Sequence, residues 1–411
     1  MTTNETETTP ETETTPETET TPRDHEGWLA RARAAAAELA ADAAERDRAG
    51  RPPFAEVEVL RRAGLLTLLI PAERGGAGRT WRTAYQVTRE IAAADGGIGQ
   101  LLGYHYLLSW NLHFFGEEKL RERVEPQAAE ERWLWGGAFN PRDPDLTLTP
   151  KDGGFELNGT KTFATGARVG DRLAVGAVHA HTGEPLVVIV DPRHEGVHRP
   201  DDWDNIGQRL SASGSVSFSA VPVPEEDVIG SLADPSPWTT LVTPAIQLVF
   251  VQFYIGIAEG ALAAARDYTR TTTRPWLFSG VDRAVDDPYV LALYGDLLAR
   301  VKAARALADQ AVEEIEQVLH APDREALTER RRGELAVLIA AAKVAATEVS
   351  LNVSSRIFEV TGARSTRAAL ALDRFWRNAR THTLHDPVSY KKREVGAHFL
   401  TGRFPEFSLY T

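Results

Sequence analysis

The sequence predicts a multidomain α+β protein: an N-terminal helical domain, a central antiparallel β-barrel or sandwich, and a C-terminal four-helix bundle. Three observations predict it. From about Glu26 to Arg132 the apolar residues keep helical spacing. From about Trp133 to Gly230 short β-rich runs alternate with turn residues. From about Pro235 onward long apolar helical stripes return. The divisions fall at 1–23 for a tail, 24–132 for the helical domain, 133–233 for the β domain and 234–411 for the bundle.

The tail is low in complexity. The hexapeptide ETETTP occurs three times between Glu5 and Pro22 and offers no apolar group to bury, so disorder is expected, as a docking or solubility tail or as an inert leader. Trp28-to-Arg46 is alanine-rich, with strong helix propensity. Val57, Leu60 and Leu65 keep helical spacing up to Pro71, and the Gly75–Gly78 segment is a turn. Helices follow at about Trp81–Ala94, Leu101–Phe115 and Glu117–Arg132. In the β region, Leu146–Thr149, Leu173–Ala180, Leu186–Val190 and Val216–Val221 read as strands, and Asn158-Gly159 is a hairpin signal. Stripes through Val290, Leu293, Leu297 and Val301, and through Leu335, Leu338, Ala342, Ala345 and Val349, mark the bundle.

Composition removes several function classes. Cysteine is absent, which excludes disulfides, thiolate catalysis and cysteine-bound metals. The formal net charge of -12 argues against a nucleic-acid partner. No run of eighteen apolar residues is present, so no membrane span is expected. With no charged-then-apolar leader either, a cytoplasmic location is expected.

Four segments sharpen the order helices, β domain, bundle: Ile70–Gly78, Leu157–Gly166, Val221–Gly230 and Arg377–Arg380. In order and spacing they resemble the acyl-CoA dehydrogenase family across nearly the whole chain after the tail. Gly103-Tyr104-His105, Ala265–Arg270, Arg274-Pro275-Trp276 and Phe375–Lys391 are similar to the family's flavin-dependent monooxygenase branch. The resemblance implies reduced flavin (FMNH2 or FADH2) delivered by a separate NAD(P)H-dependent reductase. It implies O2 as co-substrate, reacting through a C4a-(hydro)peroxyflavin, and a homo-oligomer, a tetramer by resemblance. The expected substrate is a small aromatic or heteroaromatic molecule, taken by indole-like hydroxylation or thiophene-type S-oxidation. Acyl-CoA dehydrogenation and amine N-oxygenation remain alternatives.

The resemblance also implies site residues. Where the family's dehydrogenases carry a catalytic glutamate followed by glycine, this chain has Asp386-Pro387, a shorter carboxylate before a restricting proline. His105 and His385 are expected to manage the proton of oxygen chemistry, since histidine titrates near neutrality. Thr165 is expected to meet the flavin near N5. Phe163 and Trp203 are expected to flank its ring, with Trp203 equally readable as core. Arg274 and Arg364 are expected on the flavin phosphates, Arg274 across a subunit boundary, and Trp135 and His382 complete the flavin-binding set. His382 and His385 have H-x-x-H spacing, but no third ligand is near in sequence and no metal is expected. The Gly75–Gly78 turn lacks the frame of a dinucleotide site, so no nicotinamide site is expected and the reductase must be external.

Overall fold

The computed structural model describes Pro22, residues 24–408 and residues 410–411; apart from Pro22 the repeat tail lies outside them. Six helices come first: α1 (His25–Ala40), α2 (Ala43–Ala49), α3 (Phe54–Arg62), α4 (Trp81–Ala94), α5 (Gly96–Phe114) and α6 (Glu118–Glu130). The alanine-rich stretch Trp28–Arg46 falls in two helices, divided at Ala41-Asp42. The start of α5 is set by Asp95, whose carboxylate accepts from the backbone N–H of Gly97 at 3.0 Å and of Ile98 at 3.3 Å. That cap satisfies donors the first turn leaves open. Arg46 of α2 reaches the same carboxylate at 3.2 Å.

Eight strands follow among the described residues: β1 (Trp135–Ala138), β2 (Thr147–Lys151), β3 (Gly154–Lys161), β4 (Arg172–His179), β5 (Pro185–Val190), β6 (Val197–His198), β7 (Val216–Pro224) and β8 (Val228–Ser231). They form one sheet in the order β6-β7-β3-β2-β4-β5-β8, with β1 on β4. Most pairings are antiparallel, but β1–β4 and β2–β4 are parallel, so the sheet is mixed rather than wholly antiparallel. Asn158-Gly159 is not a hairpin turn. It lies inside β3, where the register to β7 shifts between Leu157 and Gly159, and Gly159 has φ +125°. Glycine is needed there because the chain bulges, not because it reverses. The reversal is one turn earlier, at Asp152-Gly153, between β2 and β3.

The remaining chain is α7 (Val242–Thr271), α8 (Pro288–Leu319), α9 (Glu329–Thr361), α10 (Asp373–His382) and α11 (Val388–Thr401). Asp287 caps α8 ahead of Pro288, and Thr328 caps α9. By length and composition α7 and α9 are apolar enough to cross a membrane, but α7 is almost wholly buried and packs on α4, α5, α8 and α9. It is the central rod of the core. Two glycines let it approach α4: a Cβ on Gly256 would stand 2.4 Å from the Arg89 carbonyl oxygen, and one on Gly260 2.0 Å from that of Ala93.

Those distances define a stability test. Gly260→Val forces the α4–α7 contact apart and should destabilise by about 1–3 kcal/mol or more. Gly396→Ala, on α11 with open space around it, should be neutral or stabilise by up to about 1 kcal/mol. Thermal melts of both variants check the pair. Equal melting temperatures would contradict the packing described.

Candidate active site

Helix α5 runs through the meeting point of the three regions. Gln100 and Tyr104 stand one turn apart on the same face of it. Gln100 reaches the β region, its Nε2 donating to Thr165 Oγ1 at 3.4 Å. Tyr104 reaches the bundle, its hydroxyl 3.2 Å from His382 Nε2.

Thr165 sits on a tight turn after β3. Phe163 takes φ +53°, a left-handed backbone that costs a bulky residue energy. The turn is held by neighbours on both sides. Ala164 N–H donates to the Gly214 carbonyl at 2.9 Å, Gly166 N–H to that of Ala212 at 3.1 Å, and Gly137 N–H of β1 to that of Thr165 at 3.0 Å. Gly136 must be glycine, since a Cβ there would meet Gly166 backbone at 2.6 Å. The result is an outward Phe163 ring, 66% exposed, edge-on to Trp203 at 5.8 Å. Trp203 is half-buried and anchored by its indole N–H to the Gln208 carbonyl at 2.8 Å.

Gln208 also ties this loop to the bundle. Its backbone N–H donates to Asn378 Oδ1 at 2.7 Å and its side chain to the Asn378 carbonyl at 3.1 Å. Arg377, the neighbour of Asn378, pairs with Asp47 of α2 at 2.5 Å. Helix α10 is thereby fixed from both other regions.

At the end of α10, His382 is buried between two phenols. Its Nδ1 is 2.8 Å from the Tyr254 hydroxyl and its Nε2 faces Tyr104. Phe250 and Phe253 close around it edge-on, each at 4.6 Å. Burial, then the neighbouring His385 and Lys343, hold its pKa well below the usual histidine value, so it is neutral. His385 stacks parallel to it at 5.3 Å, its side chain 40% exposed. His385 Nδ1 stands 3.4 Å from Asp386 Oδ1.

The same Asp386 oxygen is in close contact with the ammonium of Lys343 on α9, a side chain 1% exposed. Lys343 also donates to Gln247 Oε1 at 2.5 Å, and Gln247 Nε2 reaches Asp386 Oδ2 at 3.5 Å. Burial pushes the Asp386 carboxyl upward, but the His385 hydrogen bond and the Lys343 charge outweigh it and hold the carboxyl well below the usual range. Burial lowers Lys343 to about 8, against the raising effect of Asp386. Asp386 is therefore an ionised partner of Lys343, and His385 turns Nδ1 toward it.

Two expected site residues are corrected. His105 does not face this cluster. Its Nδ1 accepts from Trp135 backbone N–H at 3.0 Å, so its Nε2 carries the hydrogen given to the Leu66 carbonyl at 2.8 Å. Both nitrogens are spent on the backbone, and burial lowers the ring to about 4. It is a neutral clamp between the Leu65–Thr67 turn and β1. The Trp135 indole does not line an open face either; it is buried with Leu108, Leu112, Val187 and Ile189. Arg274 and Arg364 are exposed, each near one end of a contact in which the Thr273 hydroxyl donates to the Thr361 carbonyl at 3.4 Å. Within one protomer neither has a hydrogen bond or ion pair to the Thr165 turn or to His385 among the described residues. Sequence reasoning missed Gln100, Tyr104, Tyr254, Gln247 and Lys343. Lys343 carried a signal, a lone cation inside the apolar run of α9.

Two clefts, of about 510 and about 460 Å³, lie elsewhere, one lined by His113, Trp238 and Arg324 and the other by Arg61, Arg168 and Arg199. Neither contains a member of the cluster around His385.

Residues 22–132 match the family described as Acyl-CoA dehydrogenase, N-terminal domain, and residues 248–390 match Acyl-CoA dehydrogenase, C-terminal domain. The dibenzothiophene monooxygenase of Rhodococcus qingshengii is 42% identical over 92% of this chain and 94% of its own. The chain belongs to the acyl-CoA dehydrogenase family, within its flavin-dependent monooxygenase branch. A probable FMNH2-dependent monooxygenase of Pseudomonas putida is 39% identical over 93% of this chain and 97% of its own. The indole-bound crystal structure of TdsC from Paenibacillus sp. A11-2 superposes with TM-score 0.90 at 41% identity, over 94% of this chain and all of the other.

The buried neutral histidines set an acid limit on stability. Unfolded histidine takes up its proton near pH 6.5, whereas folded His105 does so only near 4. Between those values the unfolded chain binds more protons, so stability falls as pH falls through that window. For His105 the full effect is roughly 3 kcal/mol, and His382 adds to it with the same sign. Urea midpoints at about pH 7.5 and about pH 5 check this, and equal midpoints would contradict it.

Proposed function

We propose that this chain is the oxygenase component of a two-component system, taking reduced FMN from a separate NAD(P)H-dependent reductase and using O2 to oxygenate a small aromatic or heteroaromatic molecule. The observation that carries the reading is the engagement of Asp386. A desaturating enzyme needs a free carboxylate to remove a proton next to a thioester. Here the carboxylate at that position is held by Lys343 and Gln247, while His385 remains partly exposed with Nε2 uncommitted. Acyl-CoA dehydrogenation is disfavoured for that reason.

The residues present fit a flavin. The edge of the ring system needs hydrogen-bonding groups, and the Thr165 hydroxyl lies beside the Gln100 carbonyl oxygen, which is buried without a donor. The ring face needs an aromatic surface, and Phe163 and Trp203 offer one. The phosphate needs cations, and Arg274 and Arg364 are both exposed, in keeping with delivery to a neighbouring subunit of a homotetramer. Bound reduced flavin supplies the electrons that activate O2.

The chain's own residues do the rest. Asp386 fixes the His385 ring so that Nδ1 carries its hydrogen bond and Nε2 can hold or deliver a proton. Tyr104, Phe250 and the neutral His382 form an aromatic wall that keeps water away. The similar TdsC was solved with FMN and indole together, which supports FMN as the cofactor and an indole-like or thiophene-type substrate. Supply of reductant by NAD(P)H suits a cytoplasmic enzyme.

The test is turnover with FMN, NADH, a flavin reductase and O2, with indole and dibenzothiophene as substrates. His385→Phe should cut coupled product by about 10²–10⁴-fold while hydrogen peroxide release rises. Arg274→Ala should weaken FMN binding about ten- to hundredfold. Full coupling in His385→Phe, or desaturation of an acyl-CoA by the unmodified enzyme, would overturn the reading.

A further inference from the structure

The cleft of about 460 Å³ opens between α3 and the loops that follow β3, β5 and β6, and its charges do not balance. Four arginines line it: Arg61, Arg168, Arg193 and Arg199. Two of them are neutralised. Arg61 stands between Glu58 at 2.9 Å and Asp171 at 3.0 Å, and Arg193 pairs with Asp191 at 2.7 Å. Arg168 and Arg199 are spent on main-chain carbonyls instead. Arg168 Nη1 donates to the Arg199 carbonyl, and Arg199 Nη1 to the carbonyls of Ala167 and Arg168 at 3.3 Å each. Most of the donors on each guanidinium are left over. Arg168 Nε is buried with no acceptor. Burial, then the Arg168 charge, lowers the pKa of Arg199 against a weaker pull from Asp191. Two half-buried like charges are thus braced close together. The chain has 58 acidic side chains against 46 basic ones, yet among the described residues none forms an ion pair with these two. Such a pair is costly alone and becomes favourable around an anion.

The rest of the lining narrows the kind of anion. Phe54, the first residue of α3, faces the same cleft with 55% of its surface exposed, and the buried Val57 and Val169 line it too. An arginine fork fits the oxygens of a phosphate group, and an exposed ring fits a flat aromatic one. The volume lies in the range of small-molecule sites, larger than a bare phosphate needs. We propose that this cleft binds a nucleoside monophosphate, with Arg168 and Arg199 on the phosphate and Phe54 against the base. Arg168 lies three residues after Thr165 and Arg199 four before Trp203, so both arginines belong to segments that also carry the flavin-facing candidates. None of Thr165, Phe163 and Trp203 lines the cleft, and occupancy here does not require flavin.

The test is calorimetric titration of the whole protein with AMP, ribose 5-phosphate and adenosine at constant ionic strength. AMP should bind about tenfold tighter or more than ribose 5-phosphate, and adenosine should bind weakest. Arg168→Gln and Arg199→Gln each remove charge-assisted contacts to the phosphate, so AMP affinity should fall about ten- to hundredfold in each. Phe54→Ser should bring AMP down to the affinity of ribose 5-phosphate and leave ribose 5-phosphate unchanged. Phe54 is exposed, so this variant tests the site even where an arginine variant does not fold. Arg274→Ala should bind AMP as the wild type does, and loss of AMP binding there would place the nucleotide on the expected flavin-phosphate contact and overturn the proposal. No AMP binding by the wild type at millimolar concentration also overturns it. So does wild-type AMP affinity in Phe54→Ser or in a folded Arg168→Gln or Arg199→Gln.

Discussion

The buried ion pair between Lys343 and Asp386 is the interaction on which the site depends. An ammonium inside a helical core is tolerated only with its charge met and its hydrogens used, and Asp386 and Gln247 do both. Removing one partner of such a pair costs about 3–5 kcal/mol, because the other is left charged and buried. The pair therefore holds Asp386, between α10 and α11, against α9, with Pro387 stiffening the chain behind it. It holds His385 in turn, since His385 shares the carboxylate. One electrostatic constraint withdraws a carboxylate from acid–base work and orients a histidine that can do it.

The rest of the architecture delivers other groups to that point. Helix α5 carries Gln100 and Tyr104 on one face and spends the opposite His105 on bracing β1 and the Leu65–Thr67 turn. The Thr165 turn depends on glycines at 136 and 166 and on bonds to the 211–214 segment. The Gln208–Asn378 bonds lock that segment to α10. Each region contributes a wall, and none forms the site alone.

The architecture was legible from periodicity because the long elements are strongly patterned. Helix α4 spans Trp81–Ala94, as its apolar spacing predicts, and the stripes of α8 and α9 mark helices whose buried faces follow them. Asn158-Gly159 misled because the glycine that permits a two-residue turn also permits a bulge, and only the partner strand β7 decides between them. The placement of the candidate residues was legible in part. Thr165 and Phe163 stand in one short motif and His385 in another; Phe163 packs edge-on to Trp203, and α5 reaches toward both segments through Gln100 and Tyr104. His105 was misplaced because a histidine with both nitrogens on backbone groups reads the same as a free one. Lys343 lies 43 residues before Asp386, and no local pattern links them.

In the proposed function, electrons held at this site go to oxygen rather than coming from an acyl chain. Mass spectrometry of the product formed from indole or dibenzothiophene with reduced FMN under 18O2 tests it most directly. The expected result is one 18O atom per oxygenation step, with none from labelled water. Label drawn from water, or bleaching of protein-bound oxidised flavin by an acyl-CoA with release of the enoyl product, would contradict it.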